Sequence, residues 1–330
     1  MSAKNVWVYV EYAEGKIKNV SLELLHKGKS IAAEMNQQLV AVVVGNEVEG
    51  IAAKAAACGA DEVILVEGQE YKGYNTDAYT NAMATLIGKY NPAVILFGST
   101  TSTKDLAARL AARVKTGLVS DCSAIEMDSA SKAITWIRPV LSGLALSKVV
   151  CRTSPQMATI KQGLFDRAQE GSAAGTITRE AIQTPAAAIR TKLVEFKPTE
   201  VTGIKLEDAE VVVVAGAGIG KAENLAIIQE LANALGAALG STRALVDSEW
   251  VPANTQVGQS GKTVTPQLYI GCGASGAVQH LAGMTSSKCI VAINTDPEAP
   301  IFEVADFIVE GDCIGVVPAL TAEIKKHKAG

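Results

Sequence analysis

Three stretches in the last third of this 330-residue chain combine glycine with hydrogen-bonding side chains at spacings typical of ligand-binding loops. The first, residues 216–220, reads Gly-Ala-Gly-Ile-Gly between an apolar run and a helical pattern. It resembles a dinucleotide-binding turn, but the spacing is not Gly-x-Gly-x-x-Gly, and no acidic residue follows at the expected distance. An NAD-type site and a plain strand–helix turn therefore both stay open here.

The second stretch, residues 271–280, places small residues, Ser275 and His280 between a predicted strand and a short predicted helix. Backbone N–H groups from Ser275 to Val278 would lie at the helix N-terminus, where unpaired donors attract phosphate. Ser275 is expected to cap this helix. Taken alone, the segment also fits an ordinary capped helix without a ligand, and His280 fits a structural histidine.

The third stretch, residues 240–266, is a long predicted loop that contains Arg243, Gln256, Gln259 and Ser260. Loops of this length without secondary structure of their own are commonly functional. These donors could surround a polar heterocycle. A solvated loop without a ligand is the alternative.

Short apolar runs alternate with amphipathic segments in both halves of the chain, which favours parallel sheets. In the first half, strands are predicted at 6–12, 39–44, 62–66 and 93–97, and helices at 21–36 (capped by Ser21), 49–58, 77–89 and 105–114. In the second half, strands are predicted at 211–214, 268–270, 290–293 and 307–309, with a helix near 222–239. Residues 122–152 favour antiparallel strands.

The pattern predicts an α/β protein of two domains, each with a mainly parallel sheet flanked by helices. We expect an N-terminal domain at 1–196, a linker or hinge at 197–204, and a ligand-binding domain at 205–330. Ligands of open parallel sheets bind at the carboxyl ends of the strands, where the glycine-rich loops of the second half cluster.

Composition excludes several classes of protein. Hydrophobic residues make up 48% and charged residues 19%, which rules out a disordered chain. The net charge of −4 gives no electrostatic case for nucleic acid or an anionic membrane as the main partner. No apolar run reaches the roughly 20 residues that span a bilayer, and the first residues lack a signal or transit pattern, so we expect a cytoplasmic protein.

Metal and disulfide chemistry find little support in the sequence. The six cysteines are scattered without a Cys-x-x-Cys pair or a nearby histidine at ligand spacing, so reduced, buried thiols are expected and no metal site. The chain holds only three histidines, which limits any acid–base mechanism.

Three long motifs occur in order within residues 243–312: QVGQSGKTV from Gln256, LYIGCGASGAVQHLAGM from Leu268, and IVAINTDPEAPIFEVAD from Ile290. Together they closely resemble the C-terminal domain of electron transfer flavoprotein alpha subunits. In the first half, KTGLVSDC from Lys115 and WIRP from Trp136 are similar to the same family. The resemblance therefore covers essentially the whole chain.

This resemblance implies an αβ heterodimer. Its N-terminal domain, of the nucleotide-alpha-hydrolase-like fold, would contact the beta subunit, and its C-terminal domain would bind one FAD. The beta subunit would hold a second FAD or AMP. Three residues would tune the flavin: Arg243 against the isoalloxazine ring, Ser260 as a donor toward N5, and His280 near the N1–C2=O edge.

The remaining FAD contacts implied by the family motifs fall into three groups. Thr242, Val257, Gly258 and Gln259 would line the ring and the ribityl chain. Ser275, Gly276, Ala277, Val278 and Gln279 would hold the pyrophosphate and ribityl part. Asn294, Asp312 and Cys313 would contact the adenosine part.

A cation at Arg243 and a donor at His280 would stabilise the negative charge of a reduced flavin and raise its potential. The sequence departs from the family pattern at three positions. Ser260 replaces a common Thr and keeps the hydroxyl, and Thr295 replaces a common Lys in a surface loop. Ala217 replaces a common Arg that would contact the cofactor phosphates, so it is open how this chain binds those phosphates.

The function implied is an electron carrier that shuttles single electrons between a beta-subunit flavin or a dehydrogenase and an acyl-CoA dehydrogenase-type partner. Segments beginning at Asn19, Tyr74, Trp136 and Ser154 resemble versions of the family found in anaerobes. They favour an NADH-dependent, electron-bifurcating complex that also reduces ferredoxin or flavodoxin through beta. The alternatives are a simple carrier, an NAD-dependent oxidoreductase using the turn at 216–220, and a nucleotide sensor using the N-terminal domain.

Overall fold

The computed structural model describes residues 3–128, 130–140, 145–171, 175–191, 194–195 and 204–329. Contacts within the chain divide it into two compact units, residues 1–197 and 198–330. Each unit contains a parallel sheet with helices packed on it, which confirms the predicted α/β class. The predicted linker at 197–204 lies, apart from Ile204, outside the described residues.

The first unit contains a seven-stranded sheet, a three-stranded sheet and a two-stranded sheet. Its strands are β1 (Val6–Tyr9), β2 (Tyr12–Ala13), β3 (Lys16–Ile17), β4 (Leu39–Gly45), β5 (Glu62–Glu67), β6 (Val94–Gly98), β7 (Leu118–Cys122), β8 (Ala124–Met127), β9 (Ile134–Val140), β10 (Ala145–Val149), β11 (Gln156–Ile160) and β12 (Thr176–Glu180). Its helices are α1 (Asn19–Glu34), α2 (Glu49–Ala57), α3 (Thr76–Tyr90) and α4 (Thr101–Val114).

The large sheet has the order β12-β5-β4-β1-β6-β11-β7, and all its strand pairs are parallel. Alternate residues of β1 point to opposite faces: Val6 and Val8 pack with α1 and α2, whereas Trp7 and Tyr9 pack with α3 and α4. Because helices cover both faces, the central strands are almost entirely apolar, as in β4 (LVAVVVG).

The second unit contains one five-stranded parallel sheet of order β14-β13-β15-β16-β17. Its elements are β13 (Val211–Ala215), β14 (Ala238–Ser241), β15 (Leu268–Cys272), β16 (Ile290–Asn294), β17 (Phe307–Glu310), α5 (Leu225–Leu235), α6 (Arg243–Asp247), α7 (Val278–Leu281) and α8 (Cys313–Ala329). Ile228 of α5 and Val317 of α8 are buried against one face. Loop residues such as Val257, Val264 and Met284 cover the other face.

Three predicted helix boundaries are wrong, each because of a local hydrogen bond or turn. Helix α1 begins at Asn19, and the hydroxyl of Ser21 is buried, accepting from Glu11 N at 2.8 Å instead of capping the helix. Helix α4 begins at Thr101 rather than at 105, because Thr100 and Thr103 form a capping box. The helix predicted to reach 239 ends at Leu235, since Gly236 adopts a left-handed conformation that terminates it.

Four strands of the two parallel sheets, β7, β11, β12 and β14, were not predicted. β7 (LVSDC) and β12 (TITRE) carry polar residues because they lie at the two edges of the large sheet. The antiparallel strands expected in 122–152 are confirmed as β8, β9 and β10.

In the part of the chain that the structure describes, every helix is too short or too polar to cross a membrane.

The core of the first unit supplies a direct test of the packing. Leu96 is fully buried in β6, whereas Leu146 of β10 is 66% exposed. We expect Leu96→Ala to lower the free energy of unfolding by about 2–5 kcal/mol, because it leaves a cavity under α1. Leu146→Ala should change it by less than about 0.5 kcal/mol. Denaturant titration of both variants checks this, and equal losses would contradict the assigned burial.

Candidate functional site

A cavity of about 530 Å³ lies in the second unit, where the carboxyl ends of β13, β14, β15 and β16 meet. Cavities of about 300–1,000 Å³ are typical of cofactor and ligand sites. Residues of five segments line it: Ala217, Gly218, Thr242, Arg243, Ala244, Gln256, Val257, Gly258, Gln259, Ser260, Gly273, Ser275, Gly276, Ala277, Gln279, His280 and Asn294. All three stretches singled out in the sequence therefore contribute to one site.

Most of the predicted FAD contacts are brought together here. Twelve of the fifteen line the cavity: Thr242, Arg243, Val257, Gly258, Gln259, Ser260, Ser275, Gly276, Ala277, Gln279, His280 and Asn294. Val278, Asp312 and Cys313 do not line it. Asp312 precedes α8, where its Oδ1 accepts from Ile314 N at 3.0 Å, and the buried Cys313 packs near Gly218 O. Their contacts with adenosine stay predictions.

The glycine turn after β13 belongs to this cavity and packs directly on the loop after β15. Gly216 N donates to Cys272 O and Gly218 N donates to Gly273 O, each at 2.9 Å. A Cβ on Gly218 would lie 2.8 Å from Gly273 Cα, so only glycine permits this approach. Gln256, which the sequence analysis named as a loop donor but not as an FAD contact, also lines the cavity. Sequence reasoning did not assign Ala217, Gly218, Ala244 or Gly273 as contacts, although each lies just after one of the parallel strands.

The loop after β15 presents a run of free hydrogen-bond donors. The backbone N–H groups of Ser275 through Gln279 have no acceptor among the described residues. Gly276 has φ +84°, which places the run in a turn closed to residues with a Cβ. The expectation that Ser275 caps this helix is wrong, because the N-cap of α7 is Ala277. Because α7 has four residues, attraction of an anion rests on these individual N–H groups rather than on a helix dipole.

His280 is 7% exposed, and both its ring nitrogens are bonded within the protein. Nδ1 lies 2.9 Å from Val257 O, and Nε2 lies 2.7 Å from the hydroxyl of Tyr269. A carbonyl oxygen only accepts, so Nδ1 carries the hydrogen, and in the neutral ring Nε2 accepts from the Tyr269 hydroxyl. Burial lowers the pKa of His280, which favours that neutral ring.

Burial raises the pKa of Tyr269, so its hydroxyl keeps its proton at all ordinary pH values. In this arrangement the histidine fixes the loop carrying Val257 against β15. Its expected place near the N1–C2=O edge of a flavin stays a prediction.

Two other predicted tuning residues keep groups available for a ligand. Ser260 Oγ accepts from Gln256 Nε2 at 2.9 Å, which leaves the Ser260 hydrogen free to donate. The Arg243 side chain is 71% exposed at the cavity edge, and its only ion-pair partner among the described residues is Asp247, with Nε and Oδ2 3.2 Å apart. Such an exposed, loose ion pair leaves the guanidinium free to reorient toward a negative group.

The donor set fits a phosphate-bearing cofactor with a polar ring system. The Thr242 hydroxyl oxygen is buried at the cavity wall and has no hydrogen-bond partner among the described residues. Buried polar atoms normally have a hydrogen-bond partner, so this oxygen is a candidate contact for a ligand or water. Together with the N–H run at 275–279 and the Ser260 hydroxyl, it provides for both a phosphate and a heterocycle, as FAD requires.

Each unit is an α/β fold with a parallel sheet, and the second has a cavity lined by hydrogen-bond donors at the carboxyl ends of its strands. This combination defines the class of nucleotide-cofactor-binding proteins. Family comparison makes the class specific: residues 6–185 match the electron transfer flavoprotein domain, and residues 205–285 match the electron transfer flavoprotein FAD-binding domain. The chain belongs to the electron transfer flavoprotein alpha-subunit family, as the sequence motifs indicated.

Its relatives match over nearly their whole length. The electron transfer flavoprotein subunit alpha of Thermoanaerobacterium thermosaccharolyticum is 39% identical, covering 98% of this chain and 99% of that protein. The same subunit of Megasphaera elsdenii is 39% identical, covering 98% and 97%. The acryloyl-CoA reductase electron transfer subunit beta of Anaerotignum propionicum is 35% identical, covering 99% and 97%.

The neutral state of His280 has a consequence for stability. Its pKa in the folded chain lies below the ordinary value, so the unfolded chain binds an extra proton as the pH falls below about 6.5. Stability should therefore decrease as the pH falls from 7.5 to 5.5. His280→Gln should flatten this decrease by up to about 1.4 kcal/mol per pH unit below 6.5.

Chemical denaturation at several pH values measures the effect. His327→Gln is the matched control, because His327 is exposed and its replacement should leave the pH dependence intact. A pH dependence unchanged in His280→Gln would show that the histidine is not held neutral.

Proposed function

We propose that this chain binds one FAD in the second-unit cavity and serves as the alpha subunit of an electron-carrying flavoprotein. The observation that supports this most directly is the cavity wall itself. Among the described residues, the backbone N–H groups of Ser275, Gly276, Ala277 and Gln279 and the Thr242 hydroxyl have no partner, and these residues line the cavity within the family's FAD-binding domain. Bound FAD would supply one- and two-electron redox chemistry.

Different residues of the cavity would bind different parts of that cofactor. The N–H groups from Ser275 to Gln279 would bind the pyrophosphate and replace the phosphate contact of the arginine that the family pattern commonly has at position 217. The free Ser260 hydrogen would donate toward flavin N5. Arg243, at the cavity edge, would place a positive charge against the ring and so favour its reduced, more negative state.

We propose a positioning role for His280. Since its nitrogens are engaged by Val257 and Tyr269, we propose that it positions the loop 256–260 beneath the flavin. The positive charge near the ring would then come from Arg243 alone among the three predicted tuning residues.

For partners, we propose a beta subunit and an acyl-CoA dehydrogenase-type enzyme. The relative from Anaerotignum propionicum supports the second, because its name assigns it to electron transfer for acryloyl-CoA reductase. Within this scheme we favour an NADH-dependent bifurcating complex, on the resemblance of the segments at Asn19, Tyr74, Trp136 and Ser154 to the versions found in anaerobes. A simple carrier that passes electrons from dehydrogenases onward is the alternative.

The visible absorbance spectrum of the purified chain tests the central proposal. A flavin spectrum that is released on denaturation and identified as FAD supports it, whereas a colourless chain that binds only NAD rejects it. Flavin content of the reconstituted αβ pair then separates the two subtypes. Two FAD per heterodimer indicate bifurcation, and one FAD with one AMP indicates the simple carrier.

Arg243→Ala should lower the midpoint potential of the bound flavin by roughly 20–40 mV per electron, the size expected for one largely exposed charge. Arg243→Lys keeps the charge and should retain most of the potential. Both variants should bind FAD, which their absorbance verifies. Potentiometric titration measures the shift, and equal potentials in wild type and Arg243→Ala would exclude the proposed charge role.

A further inference from the structure

A second cavity, of about 260 Å³, lies in the first unit at the carboxyl ends of β1 and β6. These strands are neighbours, but the chain leaves them in opposite directions. From β1 it passes through α1 to β4 on one side, and from β6 it passes through α4 to β7 on the other. Open α/β sheets bind ligands in the crevice at such a topological switch point.

Tyr9, the last residue of β1, gives the first sign that a ligand belongs there. It is 5% exposed and lines the cavity, yet its hydroxyl has no hydrogen-bond partner among the described residues. Its phenol lies near enough to those of Tyr12, Tyr74 and Tyr79 to interact with them electrostatically, which places the group among the lining side chains. Burial raises the pKa of Tyr9, so the hydroxyl stays protonated and can donate. Because Tyr9 lines the cavity, a ligand bound there can accept this hydrogen.

The walls of this cavity are aromatic. The rings of Tyr74 and Tyr79 lie 5.2 Å apart between centroids, tilted by 57°. The hydroxyl of Tyr79 donates to Tyr71 O at 2.9 Å, and that of Tyr74 donates to Asp105 at 2.6 Å. Because these polar ends are engaged elsewhere, the rings offer apolar faces, which suit a flat ring compound.

The free polar groups at the cavity favour an anion. Glu11 is neutralised locally, since its Oε1 lies 2.5 Å from Lys18 Nζ and its Oε2 accepts from Thr100 at 2.8 Å. Lys72 lines the cavity without an ion-pair partner in the described ranges. Ser102, in the first turn of the fourteen-residue helix α4, has both its hydroxyl and its N–H without a partner there. The N-terminus of a helix of this length attracts negative charge.

We propose that this cavity binds a small planar ring compound that carries one phosphate or carboxylate group. The ring lies against Tyr74 and Tyr79, the Tyr9 hydroxyl meets a polar edge of the ring, and the anion meets Ser102 and Lys72. A volume of about 260 Å³ is below the roughly 300–1,000 Å³ of drug-sized sites, so a molecule of dinucleotide size is excluded. The site is separate from the second-unit cavity and does not depend on the function proposed for it.

Calorimetric titration of the purified full-length chain tests the proposal with three probes. AMP and 4-hydroxybenzoate share the proposed chemistry but represent two sources, a nucleotide and an aromatic acid. Adenosine lacks the anion. We expect saturable binding of at least one anionic probe and, if AMP binds, at least tenfold weaker binding of adenosine. Absence of saturable binding for both anionic probes overturns the proposal.

Two variants link binding to this cavity. Tyr9→Phe removes one hydroxyl and keeps the ring, so the affinity for the probe should fall roughly three- to tenfold. Ser102→Glu places a carboxylate in the first turn of α4. A carboxylate there stabilises the helix but repels a bound anion, so the affinity for the probe should fall at least tenfold. Tyr90→Phe is the matched control, because its hydroxyl bonds Glu180 away from the cavity, and it should leave binding unchanged.

The same variants distinguish this site from the second-unit cavity. If Arg243→Ala weakens the probe while Tyr9→Phe and Ser102→Glu do not, the probe binds in the second unit and the proposal is overturned. Circular dichroism confirms that each variant is folded. Should Tyr9→Phe fail to fold, the response of Ser102→Glu decides.

Discussion

The second unit depends on one buried hydrogen-bond chain. It runs from the Tyr269 hydroxyl on β15, through the neutral ring of His280, to the carbonyl of Val257. The backbone adds a parallel link, since Gln259 N donates to Gln279 O at 2.7 Å. These bonds join a strand, a four-residue helix and a long loop that has little regular structure of its own. Together with the bond from Val257 N to Ser241 O at 2.9 Å, they hold the loop 256–260 in place at the cavity.

The same chain explains why a histidine at this place is uncharged. A protonated ring would have two N–H donors, and Nε2 could not then accept from Tyr269. The phenol hydrogen would lose its partner in a dry environment, which is costly. The same two hydrogen bonds therefore give His280 its structural role and keep its ring neutral. In the proposed flavin site, the charge that acts on the ligand would then be that of the exposed Arg243.

Sequence reasoning predicted most of the second unit, because strands such as β13 (VVVVA) are β-branched and end at glycine-rich loops. It missed β14, whose ALGS sequence continues the helical pattern past Gly236. In the first unit it missed edge strands with polar residues. Most of the loop residues that line the cavity were predictable by motif, but the bonding of His280 was not, since Tyr269 and Val257 become its neighbours only through the fold. Ala217 was considered only as a missing arginine, although it lines the cavity.

One face of the second sheet is covered by loops instead of helices, and those loops also form the cavity wall. Packing of that half of the core and retention of a bound molecule are consequently coupled. Any compound that binds only the folded form raises the apparent stability in proportion to the logarithm of its concentration. A preparation in which only some molecules hold a ligand would then show two unfolding transitions. In the ligand-free molecules, the loops of the cavity wall would be the first sites of proteolytic cleavage.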